Sequence, residues 1–190
     1  MATIPARPGN LRHTAQEIER ATGLRIQIIG GTLPMSPPRR GKHARTVREL
    51  RERIGSRLPS DAGVYESVSI ALPDDEDDYA TADLLVLPVG WEQEDDRPAE
   101  PRDVALAVEV IPGPSRISHS AARTDWYAAA DVTLLLALDP RNGTWTLHTH
   151  PRDGAYQGVL LGEYGEPVPL PAPLPAELDT SGLPLYAPRR

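Results

Sequence analysis

The 190-residue sequence predicts an α/β or α+β domain built on a mixed β-sheet, and three observations carry that expectation. The run VALAVEVI, Val104 to Ile111, is apolar at nearly every position, as a strand covered on both faces must be. A loop with two prolines follows, then a helical stretch from Ser118 to Ala130, then a second apolar run, VTLLLALDP. Two turn signals, Gly30-Gly31 and Asn142-Gly143, each separate short segments of strand character, the pattern of a hairpin.

The elements follow in order. Residues 1–12 carry Pro and Arg and are expected to be loose. HTAQEIERATG reads as a short helix, with Thr14 as cap, Glu17 three residues on and Gly23 as stop. In LRIQIIGGTLPMSPP, Leu24, Ile26 and Ile28 alternate with other residues before the glycine turn and a second short strand. GKHARTVRELRERIGSRL is the clearest helix, with Ala44, Val47, Leu50 and Ile54 as its apolar stripe. GVYESVSIAL alternates as a strand, and the acidic run DDEDD, Asp74 to Asp78, reads as a solvated turn or loop. ATADLLVLPV is a buried strand, and GWEQEDDRPAEPRD a long acidic loop. The helix after the central strand is expected to bury Ala122, Trp126 and Ala129. TWTLHTH and AYQGVLL add further strands, with Trp145 covering the edge of the core. The segment from Pro167 onward is too rich in Pro for a helix and is expected to run extended over the surface. This divides the chain into a loose 1–12, a folded domain over 13–165 and an extended 166–190.

Composition narrows the class. Without cysteine, disulfides and thiolate metal sites are excluded, and a reducing cytoplasm fits. The N-terminus lacks a basic-then-apolar signal pattern, and no apolar run approaches the ~18 residues of a membrane span, so no membrane partner is expected. Net charge is −7, which argues against a nucleic-acid coat protein, yet the charge is uneven: Arg39 to Arg57 holds eight Arg or Lys against two Glu.

Glu109 is the anomaly. A carboxylate inside an apolar strand costs several kcal/mol unless it has a partner. Asp83, which opens LLVLPV, is the second carboxylate of interest. On neighbouring strands the two would converge, and hard oxygen donors with an open side suit a divalent cation such as Mg²⁺. The alternative is that Asp83 is a turn residue and Glu109 pairs with an arginine.

The segments IIGGTLPMSPP with His43, ATADLLVLP, VALAVEVIPGPSR, RTDWYAAADVTLLLALDP and the hairpin near DGAY resemble, in that order, the Uma-two family of restriction endonucleases, within the PD-(D/E)xK nuclease superfamily. The resemblance runs from Gln27 to Tyr156. It implies a restriction-endonuclease-like α/β fold, a mixed β-sheet flanked by helices with extra β-hairpins. It also implies metal-dependent hydrolysis of DNA with Mg²⁺ or Mn²⁺, and a homodimer. Asp83 and Glu109 match the metal ligands, with Ala82 in place of the usual preceding Pro. The superfamily's lysine position after the glutamate holds Ile111; in this family the lysine moves to the following helix, where Arg123 stands. One turn earlier His119 replaces Asp, Gln27 replaces the hairpin Glu, Gly30 replaces the next acid, and Tyr127 matches a family tyrosine. Arginine stays charged where lysine can lose a proton, so Arg123 suits a phosphate better than a water. Gln27 offers an oxygen without charge, and His119 a base near neutral pH or a solvent-facing helix residue. A chain that keeps this fold without the chemistry, acting as a DNA-binding or protein-interaction module, is the alternative function.

Other features have plainer readings. The arginines of the second helix (Arg45, Arg48, Arg51, Arg53, Arg57) could lie against phosphates or pair with Glu49 and Glu52. His43 is expected to support the site by packing or hydrogen bonding. His148 and His150 share a strand face, as zinc ligands would, but no third ligand is near in sequence. DDEDD lacks the Gly and closing Glu of a calcium loop.

Overall fold

The computed structural model describes residues 10–36, 41–93, 98–111 and 117–186. Helix α1 (Asn10–Thr22) ends at Gly23, whose left-handed backbone lets its N–H donate to Glu19 O at 2.8 Å. Strands β1 (Arg25–Ile26) and β2 (Met35–Ser36) pair antiparallel around Gly30 and Gly31, both at positive φ, with Ile29 and Thr32 exchanging backbone bonds of 2.9 and 3.0 Å. The predicted hairpin is therefore present.

Helix α2 (Gly41–Gly55) follows, then β3 (Ala62–Glu66), β4 (Ser69–Leu72), β5 (Asp75–Thr81), β6 (Leu84–Pro88) and β7 (Leu106–Val110). Helix α3 (Ile117–Ala129), β8 (Leu134–Asp139), β9 (Thr144–Arg152) and β10 (Ala155–Glu163) complete the central sheet. Its order is β10-β9-β8-β7-β6-β3. Only β7 and β8 run parallel, because α3 carries the chain across one face between them. The period-two pattern sorts residues between the faces. Leu84, Val86, Leu106 and Val108 meet Val47, Leu50 and Ile54 of α2. Leu85, Leu87, Ala107 and Leu135 meet Trp126 and Tyr127 of α3 and Ala130 just beyond its end. Both faces of β7 are thus covered, as its uniform apolar sequence requires. Among the described residues no helix is long and apolar enough to cross a membrane.

Several expectations need correction. Ala44 is exposed, and His43 with Thr46 takes its place beside Val47 on the buried face of α2. Ala122 and Ala129 are also exposed, because α3 is rotated to turn Trp126, Tyr127 and Ala128 inward. The strand read through GVYESVSIAL breaks at Ser67, whose φ is 63°, into β3 in the central sheet and β4 paired with β5. The acidic run is only in part a turn: Asp75 opens β5, and Asp78 is 5% exposed. The Pro-rich segment does not merely run over the surface. Val168, Leu170, Leu174, Leu178 and Leu183 join the α2-side core, with β11 (Val168–Pro169) paired to β12 (Glu177–Leu178).

Candidate active site at the ends of two central strands

Asp83 stands one residue before β6. The register Leu84↔Val108, extended by one residue, sets Asp83 opposite Glu109, and Asp83 N–H donates to Val108 O at 3.1 Å. Adjacent strands thus place both carboxylates at one end of the sheet.

Their immediate surroundings differ. Asp83 is 7% exposed, and its Oδ2 accepts Val110 N–H at 2.8 Å. Its Oδ1 lies 3.2 Å from His43 Nε2, within hydrogen-bond reach of the imidazole. That contact draws Asp83 toward α2. Glu109 turns toward α3. Its Oε1 accepts the Tyr127 hydroxyl at 2.5 Å and a bond from Arg123 Nη2. Arg123 Nη2 also donates to Thr81 O at 3.0 Å, two residues before Asp83. One guanidinium therefore ties β7 to the segment that carries Asp83.

Electrostatics keep the two donors to Glu109 protonated. Burial works against the charge on Arg123, but Glu109, Tyr127 and Asp83 together hold its pKa above the ordinary arginine value. Burial, then the Glu109 charge, pushes the Tyr127 phenol well above its usual range, so it remains a donor. The carboxylate that looked anomalous in an apolar strand has a cation and a hydroxyl on one oxygen.

Gln27 is 3% exposed, and its backbone N–H donates to Pro34 O at 3.2 Å. Its hairpin abuts β5 through reciprocal bonds between Ile28 and Tyr79. Its carboxamide oxygen is buried with no hydrogen bond among the described residues. The same holds for Arg123 Nε and His43 Nδ1. His119 falls within α3, but its side chain lies outside the described residues. Among the described residues no group of three His, Cys, Asp or Glu could by itself hold a metal ion.

Asp78 was missed as a buried group. Its Oδ1 accepts Trp126 Nε1–H at 2.7 Å and its Oδ2 accepts Gly31 N–H at 3.3 Å, so it latches α3 and the glycine turn to β5. Burial raises its pKa despite those bonds. The signal available in sequence was position: Asp78 leads directly into Tyr79 and Ala80, both buried.

The basic helix is largely self-satisfied. Arg45 pairs with Glu49 at 2.6 Å and Arg48 with Glu52 at 2.8 Å, the i,i+4 arrangement. Arg53 donates to Asp179 O at 2.9 Å and Arg57 to Glu177 O at 3.5 Å, while Lys42 reaches Leu185 O at 2.7 Å. Much of this positive charge neutralises glutamates or tethers the C-terminal segment. His148 packs against Tyr156, and burial lowers its pKa. His150, at φ 56°, breaks the strand alternation and is exposed.

A mixed sheet with one parallel pair, a crossover helix and an Asp–Glu pair on adjacent strand ends defines the class: a restriction-endonuclease-like nuclease fold. Within that class the chain belongs to the Uma2 family, described as "Putative restriction endonuclease", whose pattern matches residues 13–185. Among solved structures it is similar to one described as "a putative nuclease belonging to DUF820" from Anabaena variabilis. The two share 17% sequence identity over 80% of this chain and 84% of the other, with a TM-score of 0.61, a likeness of fold. No curated protein matches the chain.

Proposed function

We propose that this chain is a divalent-cation-dependent DNA endonuclease, working where β6 begins and β7 ends, with Arg123 as a fixed cation against the scissile phosphate. The observation that carries the reading is convergence on one side chain: Arg123 bonds Glu109 and the Thr81 carbonyl and lies within the field of Asp83.

The donor set fits Mg²⁺ or Mn²⁺. Such ions bind one or two carboxylates plus substrate phosphate oxygens and water, which Asp83 and Glu109 can supply in part. The buried, unpartnered Gln27 oxygen is a neutral hard donor of the kind these ions accept. When bound, the cation would polarise the phosphate and acidify a water. The chain's own contribution is positional. His43 and the Val110 amide fix the Asp83 carboxylate. Arg123, unable to give up its proton, offers donors to a phosphate oxygen as negative charge grows there. Tyr127 holds Glu109 in place. With two carboxylates and one guanidinium the centre carries a net charge near −1, suited to one cation shared with substrate rather than to a two-ion site.

One observation favours a second reading. Glu109 Oε1 already accepts two donors, so a protein that binds DNA or another protein without cutting would be stable with this geometry. Plasmid nicking decides between them. With Mg²⁺ or Mn²⁺ at low salt the wild type is expected to convert supercoiled DNA to open circles, and Glu109→Ala is expected to leave it intact. Retarded DNA mobility with no nicking in either metal establishes the second reading. If calorimetry finds no metal binding and DNA is not retarded at low salt, both are wrong.

A further inference from the structure

We infer that β10 is a dimer interface, pairing edge to edge with β10 of a second copy about a two-fold axis through Leu160. Among the described residues nothing pairs with the outer edge of β10, which is bonded only to β9. From Ala155 to Gly162 this edge carries no charged residue and no proline, the devices that normally keep an edge strand from pairing. Three consecutive apolar side chains lie open: Val159 at 57%, Leu160 at 45% and Leu161 at 72% exposure. Because consecutive residues face opposite ways, the strand is apolar and open on both faces.

The sequence around Leu160 reads nearly the same in both directions: Gln157-Gly158-Val159-Leu160-Leu161-Gly162-Glu163. A two-fold axis demands this of an antiparallel pair, since residue i meets j and j meets i. Centred on Leu160, Val159 faces Leu161 of the other copy, glycine faces glycine, and the Gln157 amide faces the Glu163 carboxylate. No like charges oppose. Both glycines also have a reason within one copy. A Cβ on Gly158 would lie 2.2 Å from Thr149 Oγ1, and one on Gly162 2.2 Å from Trp145 Cζ2. Leu160 therefore stands between two flat positions, with space for its counterpart.

Backbone polarity agrees. Tyr164 N–H donates to Gly143 O at 2.7 Å, toward β9, while Glu163 N–H turns the other way, to Glu166 Oε2 at 2.7 Å. Alternation then points the Leu161 and Val159 amides outward. In the proposed register these two residues exchange N–H···O bonds with their opposites, and the Leu160 pair sits between them as a non-hydrogen-bonded pair with Cα atoms about 4.5 Å apart. The Glu163 amide, already taken by Glu166, limits the ladder to its centre.

The register makes the test specific, because the chain has no native cysteine. Leu160→Cys is the substitution that sets a thiol against its own copy within disulfide reach. Mild oxidation is expected to convert it to a covalent dimer, while Ala155→Cys stays monomeric on the same gel. In sedimentation the wild type is expected at twice the chain mass. Leu161→Lys is expected to weaken association at least tenfold, and Met35→Lys, an exposed apolar site elsewhere, to leave it unchanged. The proposal is overturned if the wild type is monomeric at roughly 100 μM, a loading that populates any dimer with a tighter Kd. A dimer that survives Leu161→Lys, or in which Leu160→Cys does not cross-link, overturns it as well.

Discussion

Two carboxylate–arginine pairs stand at the same end of the sheet, on its two parallel strands. Asp139 ends β8, and Arg141 two residues on wraps back to it, through its backbone N–H at 3.0 Å, Nε at 2.7 Å and Nη2 at 2.5 Å. Asn142 adds a fourth donor at 3.1 Å. That pair closes on itself within one turn and has a plain structural purpose. Glu109 on β7 instead reaches across 14 residues to a helix, for a guanidinium that is shared with the Thr81 carbonyl and keeps its Nε buried and without a partner among the described residues. The lesson is that identical ion-pair chemistry is structural when every donor is used locally. It becomes available to a ligand when donors are left over in a buried place.

Breaking the long-range pair should cost most. Glu109→Ala leaves Arg123 buried without its carboxylate partner, holding only the Thr81 carbonyl, and is expected to remove nicking and to destabilise the fold by about 3–5 kcal/mol, read by chemical denaturation. If stability is unchanged, Arg123 has found solvent and the pair is not the anchor argued above. Arg123→Lys keeps a cation on Glu109 but one that can give up a proton, so metal-dependent nicking is expected to rise at least about tenfold. No gain would mean that the arginine is not what limits turnover. Tyr127→Phe removes one donor to Glu109 without changing shape, for a loss of roughly 1–2 kcal/mol by thermal or chemical unfolding.

The local pair gives the smallest effect and a distinct pH signature. Hydrogen bonding from Arg141, foremost, holds the Asp139 carboxyl below its ordinary value of 3.8. A depressed acid contributes its stability above the unfolded value and loses it as pH falls through the folded one. Asp139→Asn should therefore be less stable than wild type at neutral pH, by under about 1 kcal/mol given the solvent around the pair, and the difference should disappear below that carboxylate range. A difference that persists or grows in acid would show that the pair is not ionic.

How much of this was legible in the sequence depends on distance along the chain. The glycine turns, the two-sided apolar strand β7 and the crossover helix are written within windows of a dozen residues, and they appear where expected. Asp83 and Glu109 were legible as a pair, because an isolated acid in an apolar strand demands an explanation. What Glu109 touches was not, since the rotation of α3 is set by how Trp126 and Tyr127 pack on the sheet and not by its own periodicity. The same reason put Ala44 on the wrong side of α2, where His43 is buried. Asp78 disappeared into a run of acids, because counting charges says nothing about a tryptophan 48 residues away. For residues 166 onward, proline content correctly argued against a helix but could not say whether the interspersed leucines were buried.

That last segment has a consequence in time. Val168, Leu170, Leu174, Leu178 and Leu183 belong to the same core as β6, β7 and β8. Side chains from residues 47 and 183 must meet before that core is whole, so during synthesis it cannot close until the chain through Leu183 is free to fold. Until residues 168–183 dock, α2 alone leaves that face of the central sheet only partly covered.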